Sequence, residues 1–528
     1  MLLESKMEVA ELLAQLGDPG LYQILLYICL FVCNSTVSMN HLIMAIYGYT
    51  PKHSCTIPDG MLKNNSIPTE IKDGKTSFEK CKAFLSFNAT LGSKMDCPNG
   101  WTFDISGKES SIVDEWSLVC DEKYKVSAAT TIYFAGVMIG GAIFGQLSDK
   151  FGRKPVLLVC LYGHILLGLG VHFASSYDAF VAIRFFLGFL VQGIQTSSYV
   201  LLVEMTVVKY RPICAGIFEV CWAVGNLWMT SLAWAIQDWR KIQLALCLPS
   251  LITLFYIIFV PESIRWLVNQ GKNEQAEYHA RRIARFNKKE LPNELNLYAG
   301  SKAVKKDGRN YSFHDLFINK EIRKRTMLMG YIWLASSVGY YGLILTTGGL
   351  AGNRYANYFV SASVEVIAFI SVIFILKYLT RRRPLMLYYI LGGVTCIIAG
   401  TIKKSDNIDN NEDIATVFAV IGKFFLSAGF STIFLFTVEL FPTVVRTLGM
   451  GSCVFWARVG GMIAPQILLI GDYTFDELPY LIFGGLALLA AVATYFVPET
   501  RGQHLPETIE EFNKDFDCEN GNTHDSKL

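Results

Sequence analysis

Long apolar runs alternate with short polar turns along the chain, and twelve of the runs are long enough to cross a bilayer. They fall near residues 21–46, 127–147, 155–175, 178–202, 213–236, 243–260, 327–349, 353–379, 384–403, 413–440, 444–470 and 477–497. Each approaches the roughly twenty mostly apolar residues that a membrane helix needs. The pattern predicts an all-α membrane protein of twelve transmembrane helices. Two longer polar stretches break the rhythm, 47–126 and 261–326. The second divides the runs into six and six. The expected organisation is an N-terminus at 1–20, a six-helix half at 21–260 carrying the 47–126 loop, a central loop at 261–326, a second half at 327–497 and a tail at 498–528.

Charge orients this arrangement. Only 17% of residues are charged, against about 25% in soluble chains. The net charge of +2 gives no reason to expect a nucleic-acid partner. Residues 47–126 hold 10 Lys, no Arg and 11 acids, whereas 262–326 hold 15 basic residues and 8 acids. Basic loops stay in the cytoplasm, so the central loop and both termini are expected inside and the 47–126 loop outside. The first twenty residues lack the basic-then-apolar layout of a cleaved signal, so the first run is expected to be retained. Of thirteen Cys, Cys55, Cys81, Cys97 and Cys120 fall in the exterior loop. They suggest two disulfides with three possible pairings. Asn64 and Asn88 head glycosylation sequons there, while the Asn310 sequon falls on the inner side and is expected to stay unmodified. A helix around 274–283 is expected along the inner face. The tail is acidic and polar, with disorder expected past Pro506.

One charged turn stands out. Residues 145–155 read G-Q-L-S-D-K-F-G-R-K-P, and a weaker copy at 377–384 reads K-Y-L-T-R-R-R-P. Taking Pro384 as the match of Pro155 pairs Arg153 with Arg382. Further landmarks repeat: Glu204 and Arg211 match Glu439 and Arg446, both at a spacing of 235, and Glu262 in P-E-S matches Glu499 in P-E-T. Six plus six spans with parallel halves is the build of alternating-access carriers, whose substrate lies near the midplane. Asp149, Arg153, Glu204, Arg211, Glu262, Arg382, Glu439, Arg446 and Glu499 are therefore expected to gate the inner side through ion pairs. The plain alternative is that they anchor helix ends.

Charges deep inside spans cost at least ~2.5 kcal/mol each and so require a purpose. Glu219, Glu365, Lys423 and Arg458 qualify. Glu365 and Arg458 either pair with each other or meet a substrate or coupling ion, and Lys423 reads as a tether. Trp222, Trp333, Tyr340 and Tyr341 are expected to face a central cavity, where aromatic rings attract organic cations. Trp333 and Tyr340 are seven residues apart and share one helix face. No nucleophile–base constellation, metal cluster or phosphate-binding loop is apparent. The chain does not read as an enzyme, and neither a cofactor nor a metal is expected.

The motifs together resemble the organic cation, carnitine/zwitterion and organic anion transporters of solute carrier family 22, within the major facilitator superfamily. The resemblance is carried by T-P-K-H-S-C at 50–55, D-E-W-S-L-V-C-D at 114–121, G-Q-L-S-D-K-F-G-R-K-P, D-W-R at 238–240 and P-E-S-I-R-W-L at 261–267. It continues with V-G-Y-Y-G-L at 338–343, E-L-F-P-T-V-V-R at 439–446 and P-E-T followed by L-P-E-T at 498–508. It implies a plasma-membrane carrier of small organic ions in which one chain suffices for transport, oligomers being allowed. An acid at Glu365 with a base at Arg458 is similar to the carnitine/zwitterion branch. The same resemblance places Asn40 and Ser431 at the substrate. Glu219 stands where cation transporters carry Gln, and an extra acid adds cation preference. The expected function is transport of zwitterions or cations, with Glu365 and Glu219 holding an ammonium group and Arg458 a carboxylate. Coupling to Na⁺ or H⁺ is left open. The alternatives are an organic anion exchanger and, more remotely, a transport-inactive receptor.

Overall fold

The computed structural model describes residues 7–17, 19–57, 66–72, 75–84, 94–105, 109–292, 295–298, 312–403, 411–442 and 444–501. Asn64, Asn88, Asn310 and the tail past Arg501 lie outside them.

Among the described residues twelve apolar helices are long enough to span a membrane. In chain order they run Leu21–Tyr47, Cys120–Phe151, Arg153–His172, Tyr177–Met205, Val208–Ile236, Trp239–Phe259, Lys320–Gly349, Arg354–Tyr378, Arg382–Lys403, Asn411–Leu440, Arg446–Tyr473 and Leu478–Tyr495. Large apolar side chains such as Val159, Leu166, Phe255 and Phe374 are exposed on their outer faces. In water such a surface would be prohibitive, and in lipid it is solvated.

Local chemistry sets the ends. The sixth span begins at Trp239, ahead of the expected 243, because the Asp238 side chain accepts from the Arg240 and Lys241 backbone N–H groups at 3.0 and 3.2 Å. Pro249 then interrupts its hydrogen-bond ladder, and the chain tightens into a 3₁₀ turn at Leu251–Phe255.

The spans pack around three main cores. One lies in the first half and takes in Leu157, Leu201, Trp266 and the short helix Val9–Leu16. One lies in the second half around Ile332, Tyr389 and Phe436. The third joins both halves, combining Tyr47, Tyr133 and Trp239 with Tyr340, Tyr341 and Tyr358. It sits at the end that carries the 47–126 loop.

That loop forms small two-stranded antiparallel sheets, with Lys52–Cys55 against Trp101–Asp104 and Lys82–Phe84 against Lys94–Asp96. Its four cysteines pair as Cys55–Cys97 and Cys81–Cys120, which selects one of the three pairings. Its own core is small, centred on Cys55, Ile67, Ala83 and Cys97, so the covalent links do much of the holding. The loop is fastened to the sixth span. The Glu115 carboxylate accepts from the Trp239 indole at 2.8 Å and from Arg240 Nε at 3.1 Å, and the Trp116 and Trp239 rings meet edge-on. Two motifs distant in sequence, D-E-W and D-W-R, are thus one joint.

At the opposite, basic end, helix Asn273–Phe286 buries Ala276, Ala280, Ile283 and Ala284 against the same core as Val9–Leu16. It is packed on one face rather than solvated all round. Strand Met7–Glu8 pairs in parallel with Leu297–Tyr298 of the central loop.

Candidate functional site

The buried charges converge where the halves meet. Glu365, on the eighth span, is fully buried. Its Oε2 lies 3.2 Å from Lys423 Nζ on the tenth span and accepts from Asn226 Nδ2, on the fifth, at 3.1 Å. Its Oε1 accepts from the Tyr340 hydroxyl. That hydroxyl in turn accepts from the Trp222 indole N–H at 2.8 Å. Lys423 also donates to Ser361 Oγ at 2.6 Å. Glu365 therefore pairs with Lys423, not with Arg458. The energetic logic is that of any buried charge: a carboxylate with a cation and two further donors is tolerated, and an isolated one is not.

Arg458, on the eleventh span, faces the other half. Its Nη2 donates to Gln195 Oε1 at 2.9 Å, and its Nη1 lies 3.4 Å from both the Tyr341 hydroxyl and His41 Nε2. Its Nε is buried without a partner. Among the described residues no carboxylate forms an ion pair with it.

The remaining expected contacts divide. Glu219 is half-buried on the fifth span, close enough to Glu365 to act on it electrostatically. Residues 219, 222 and 226 share one face of that helix, so Asn226 was legible from the spacing. Tyr340 stacks on Phe430 at 5.3 Å. Ser431, next along the tenth span, is half-buried. Trp333 packs within the second half, and like Tyr340 it meets Phe430. Its N–H donates to Thr437 Oγ1 at 2.9 Å and its ring meets Phe430 and Phe434. Asn40 turns its amide back to the Thr36 carbonyl of its own helix at 2.9 Å. Its neighbour His41 is the first-span residue that reaches Arg458, and sequence reasoning missed it. Adjacent helix positions lie about 100° apart, so Asn40 and His41 present different faces.

At the basic end the two halves carry the same device. Arg153 Nε and Nη2 hold Glu204 at 3.0 Å each, and Nη1 meets Asp149 at 3.0 Å. Glu262 accepts from the Arg153 backbone N–H at 3.0 Å and the Lys154 N–H at 3.3 Å, so a carboxylate caps the N-terminus of the third span. Gly152 makes room, at φ +108°, for a Cβ there would lie 2.2 Å from Glu262 Oε2. In the second half Arg381 Nε lies 3.2 Å from Glu439 Oε2. Glu499 accepts from the Arg381 and Arg382 N–H groups at 2.8 and 3.0 Å.

The counterpart of Arg153 is therefore Arg381, and Arg382 takes the place of Lys154. The second copy has one extra residue, Arg383, before its proline, so aligning on Pro384 shifts the register by one. Arg211 and Arg446 also match, each donating through Nε to a carbonyl five residues back, Thr206 and Phe441, at 3.3 Å. The ion pairs of Arg153 and Arg381 join helices within a half.

Burial pushes the Glu262 carboxyl up, more than its N–H donors and Arg153 pull it down. Burial acts the same way on Glu499, but the N–H groups of Arg381, Arg501, Arg382 and Thr500 outweigh it and hold that carboxyl below the usual range.

Polar links that do cross between halves run from the centre toward the disulfide-bonded end. Ser127 donates to the Pro465 carbonyl at 3.0 Å, and Tyr358 donates to the Ala45 carbonyl at 2.5 Å. Thr131 donates to the Met462 carbonyl at 3.1 Å and accepts from Gln466 Nε2 at 2.8 Å. Ion pairs Lys123–Asp472 at 2.9 Å and Arg354–Glu109 at 3.1 Å lie at the rim.

Known proteins share this plan. A family model described as sugar (and other) transporter matches residues 77–512. Organic anion transporter 3 of Oryctolagus cuniculus is 34% identical over 517 residues, covering 96% of this chain and 93% of its own length. Organic cation/carnitine transporter 2 of Homo sapiens is 31% identical over 527 residues, covering 95% and 93%. Solute carrier family 22 member 21 of Mus musculus is 31% identical over 531 residues, covering 96% and 93%. Among solved structures, the E. coli xylose transporter XylE in a partially occluded inward-open conformation has a TM-score of 0.63 at 14% identity. That match covers 92% of this chain and all of the other, a likeness of fold.

Proposed function

Since the chain belongs to solute carrier family 22 of the major facilitator superfamily, we propose that it carries small organic ions bearing a carboxylate, zwitterions foremost, across the plasma membrane by alternating access. Arg458 carries this reading. It is a buried guanidinium between the two halves, with no carboxylate among the described residues paired to it and Nε unspent. A buried cation in that condition is costly, and a substrate carboxylate supplies the missing charge with bidentate geometry. The half-buried Glu219 provides the complementary site for an ammonium group, backed by Trp222 and Tyr341. Relatives named for organic anions and for carnitine both fit a carboxylate-bearing cargo.

The bond between Glu365 and Lys423 favours a second reading, the organic anion exchanger. With Glu365 neutralised by Lys423, Arg458 dominates the site and Glu219 alone speaks for an ammonium group.

In the proposed orientation the disulfide-bonded end is extracellular, as its two disulfides require an oxidising compartment, and the basic end with both termini is cytoplasmic. The ion pairs of Arg153 and Arg381 then brace each half at the inner gate.

Uptake of labelled carnitine, a tetraalkylammonium and an aromatic carboxylate tests the reading. Wild type is expected to carry carnitine, and Arg458→Ala to lose it while still reaching the surface. Undiminished carnitine uptake by Arg458→Ala would sink the assignment. Uptake of the aromatic carboxylate alone selects the exchanger.

A further inference from the structure

The His41 ring lies where the two halves meet, against Arg458 and Tyr341. It is 3% exposed and lies edge-on to Tyr133, Phe134 and Trp222, with Tyr341 stacked at 6.5 Å. Its Nδ1 sits 3.0 Å from the Val37 carbonyl. A carbonyl only accepts, so Nδ1 bears the hydrogen and Nε2 presents a lone pair. That lone pair faces Arg458 Nη1 at 3.4 Å. The charged groups acting on the ring are Arg458 from the eleventh span and Arg184 from the fourth. The titratable hydroxyls in contact are Tyr133, 3.1 Å from Nδ1, and Tyr341. No carboxylate among the described residues bonds to it. Glu365, the fully buried acid of the site, is held by Lys423.

We propose that His41 is the proton-coupling group of the carrier, so that each carboxylate seated at Arg458 travels with one proton on His41 Nε2. The inference rests on the carboxylate reading of Arg458. The exchange balances with one proton drawn from solvent. The arriving carboxylate accepts the Arg458 Nη1–H that had faced the ring. Nε2 is freed and takes a proton from solvent. The imidazolium and the guanidinium then hold the anion between them, an arrangement in which each positive charge is favoured by the carboxylate. Release on the other side discharges the anion, and with it the reason for the ring to stay protonated.

The test is uptake of a carboxylate-bearing substrate between about pH 5 and about pH 8, beside a tetraalkylammonium as a cargo with no carboxylate. In wild type, carboxylate uptake at subsaturating substrate is expected to rise on acidification, by up to about tenfold per pH unit, the limit for one linked proton. Tetraalkylammonium uptake is expected to lack that rise. His41→Gln, which keeps a polar group but cannot titrate, is expected to carry the carboxylate with a flat pH profile. An unchanged slope in His41→Gln overturns the proposal. Should that variant fail to reach the surface, purified wild type in vesicles with a trapped pH dye decides. Carboxylate entry is expected to acidify the lumen, and entry with no acidification overturns the proposal. A wild type that carries no carboxylate at all defeats the Arg458 reading. One that carries it without pH dependence defeats only the role of His41.

Discussion

The Trp222 indole donates to the Tyr340 hydroxyl at 2.8 Å, and this bond ties a helix of the first half to a helix of the second in the middle of the membrane. Tyr340 passes the link on to Glu365, so the contact between halves and the buried carboxylate belong to one network. Tyr340→Phe keeps the ring on Phe430 and removes the hydroxyl. A buried hydrogen bond contributes about 1 kcal/mol, or about fivefold in an equilibrium. The variant is expected to fold, to favour separation of the halves and to change the maximal rate of uptake more than surface abundance. Loss of surface protein with an unchanged rate per molecule would contradict this.

Glu365 and Lys423 are expected to behave as one unit. Glu365→Gln strands a buried ammonium and Lys423→Met strands a buried carboxylate, each at a cost of about 3–5 kcal/mol. Both single variants should lose most of their surface expression. The double variant Glu365→Gln/Lys423→Met should recover much of it. Quantitative surface biotinylation of the four proteins settles the matter, and a double variant no better than the worse single refutes the pairing.

Thr131 fastens the second span to the eleventh through two bonds. Thr131→Val keeps the shape and loses both. With roughly 0.5–1.5 kcal/mol per bond, opening of the disulfide-bonded end should become about five- to a hundredfold more frequent. A cysteine introduced beneath that end should react faster with a membrane-impermeant thiol reagent in the variant. Equal labelling rates would exclude Thr131 from the closure.

The two helix caps should respond to acid with opposite sign. Glu262 has its carboxyl raised in the fold, so wild type gains stability over Glu262→Gln as pH falls through that raised value. Glu499 has its carboxyl lowered, so its contribution is present above the ordinary glutamate value and is lost as pH falls through the lowered one. Wild type therefore loses its advantage over Glu499→Gln on acidification. Thermal melting of the purified proteins from about pH 7 to about pH 4, the interval that brackets the ordinary glutamate value, checks both slopes. Slopes of the same sign would show that the two caps are electrostatically alike.

The twelve spans were legible because a bilayer leaves the chain few options. Every crossing must bury its backbone polar groups in a helix and clothe it in apolar side chains, and that pattern survives in the bare sequence. The duplicated charged ends were legible for a similar reason, since a charge near a helix terminus interrupts an apolar run. The partners were harder. Arg381 was displaced by one because Arg383 shifts the proline that seemed the natural anchor. Lys423 stood out as a deep charge, yet only tertiary packing brings it across to Glu365, 58 residues away in sequence. His41 was hidden because nothing in the sequence shows which face of the first span meets Arg458.

Glu499 also decides where the chain can be cut. A protein ending just after Val497 would keep all twelve spans, and a hydropathy profile would score it complete. It would nonetheless lack the carboxylate that closes the ninth span's first turn, 117 residues upstream, as well as Thr500, whose hydroxyl donates to Glu439 at 2.6 Å. A chain ending at Arg501 retains each of these bonds. For truncation, fusion or tagging, bonds that hold the second half therefore continue past its last span, in Glu499 at the start of the ninth span and Thr500 at the end of the tenth.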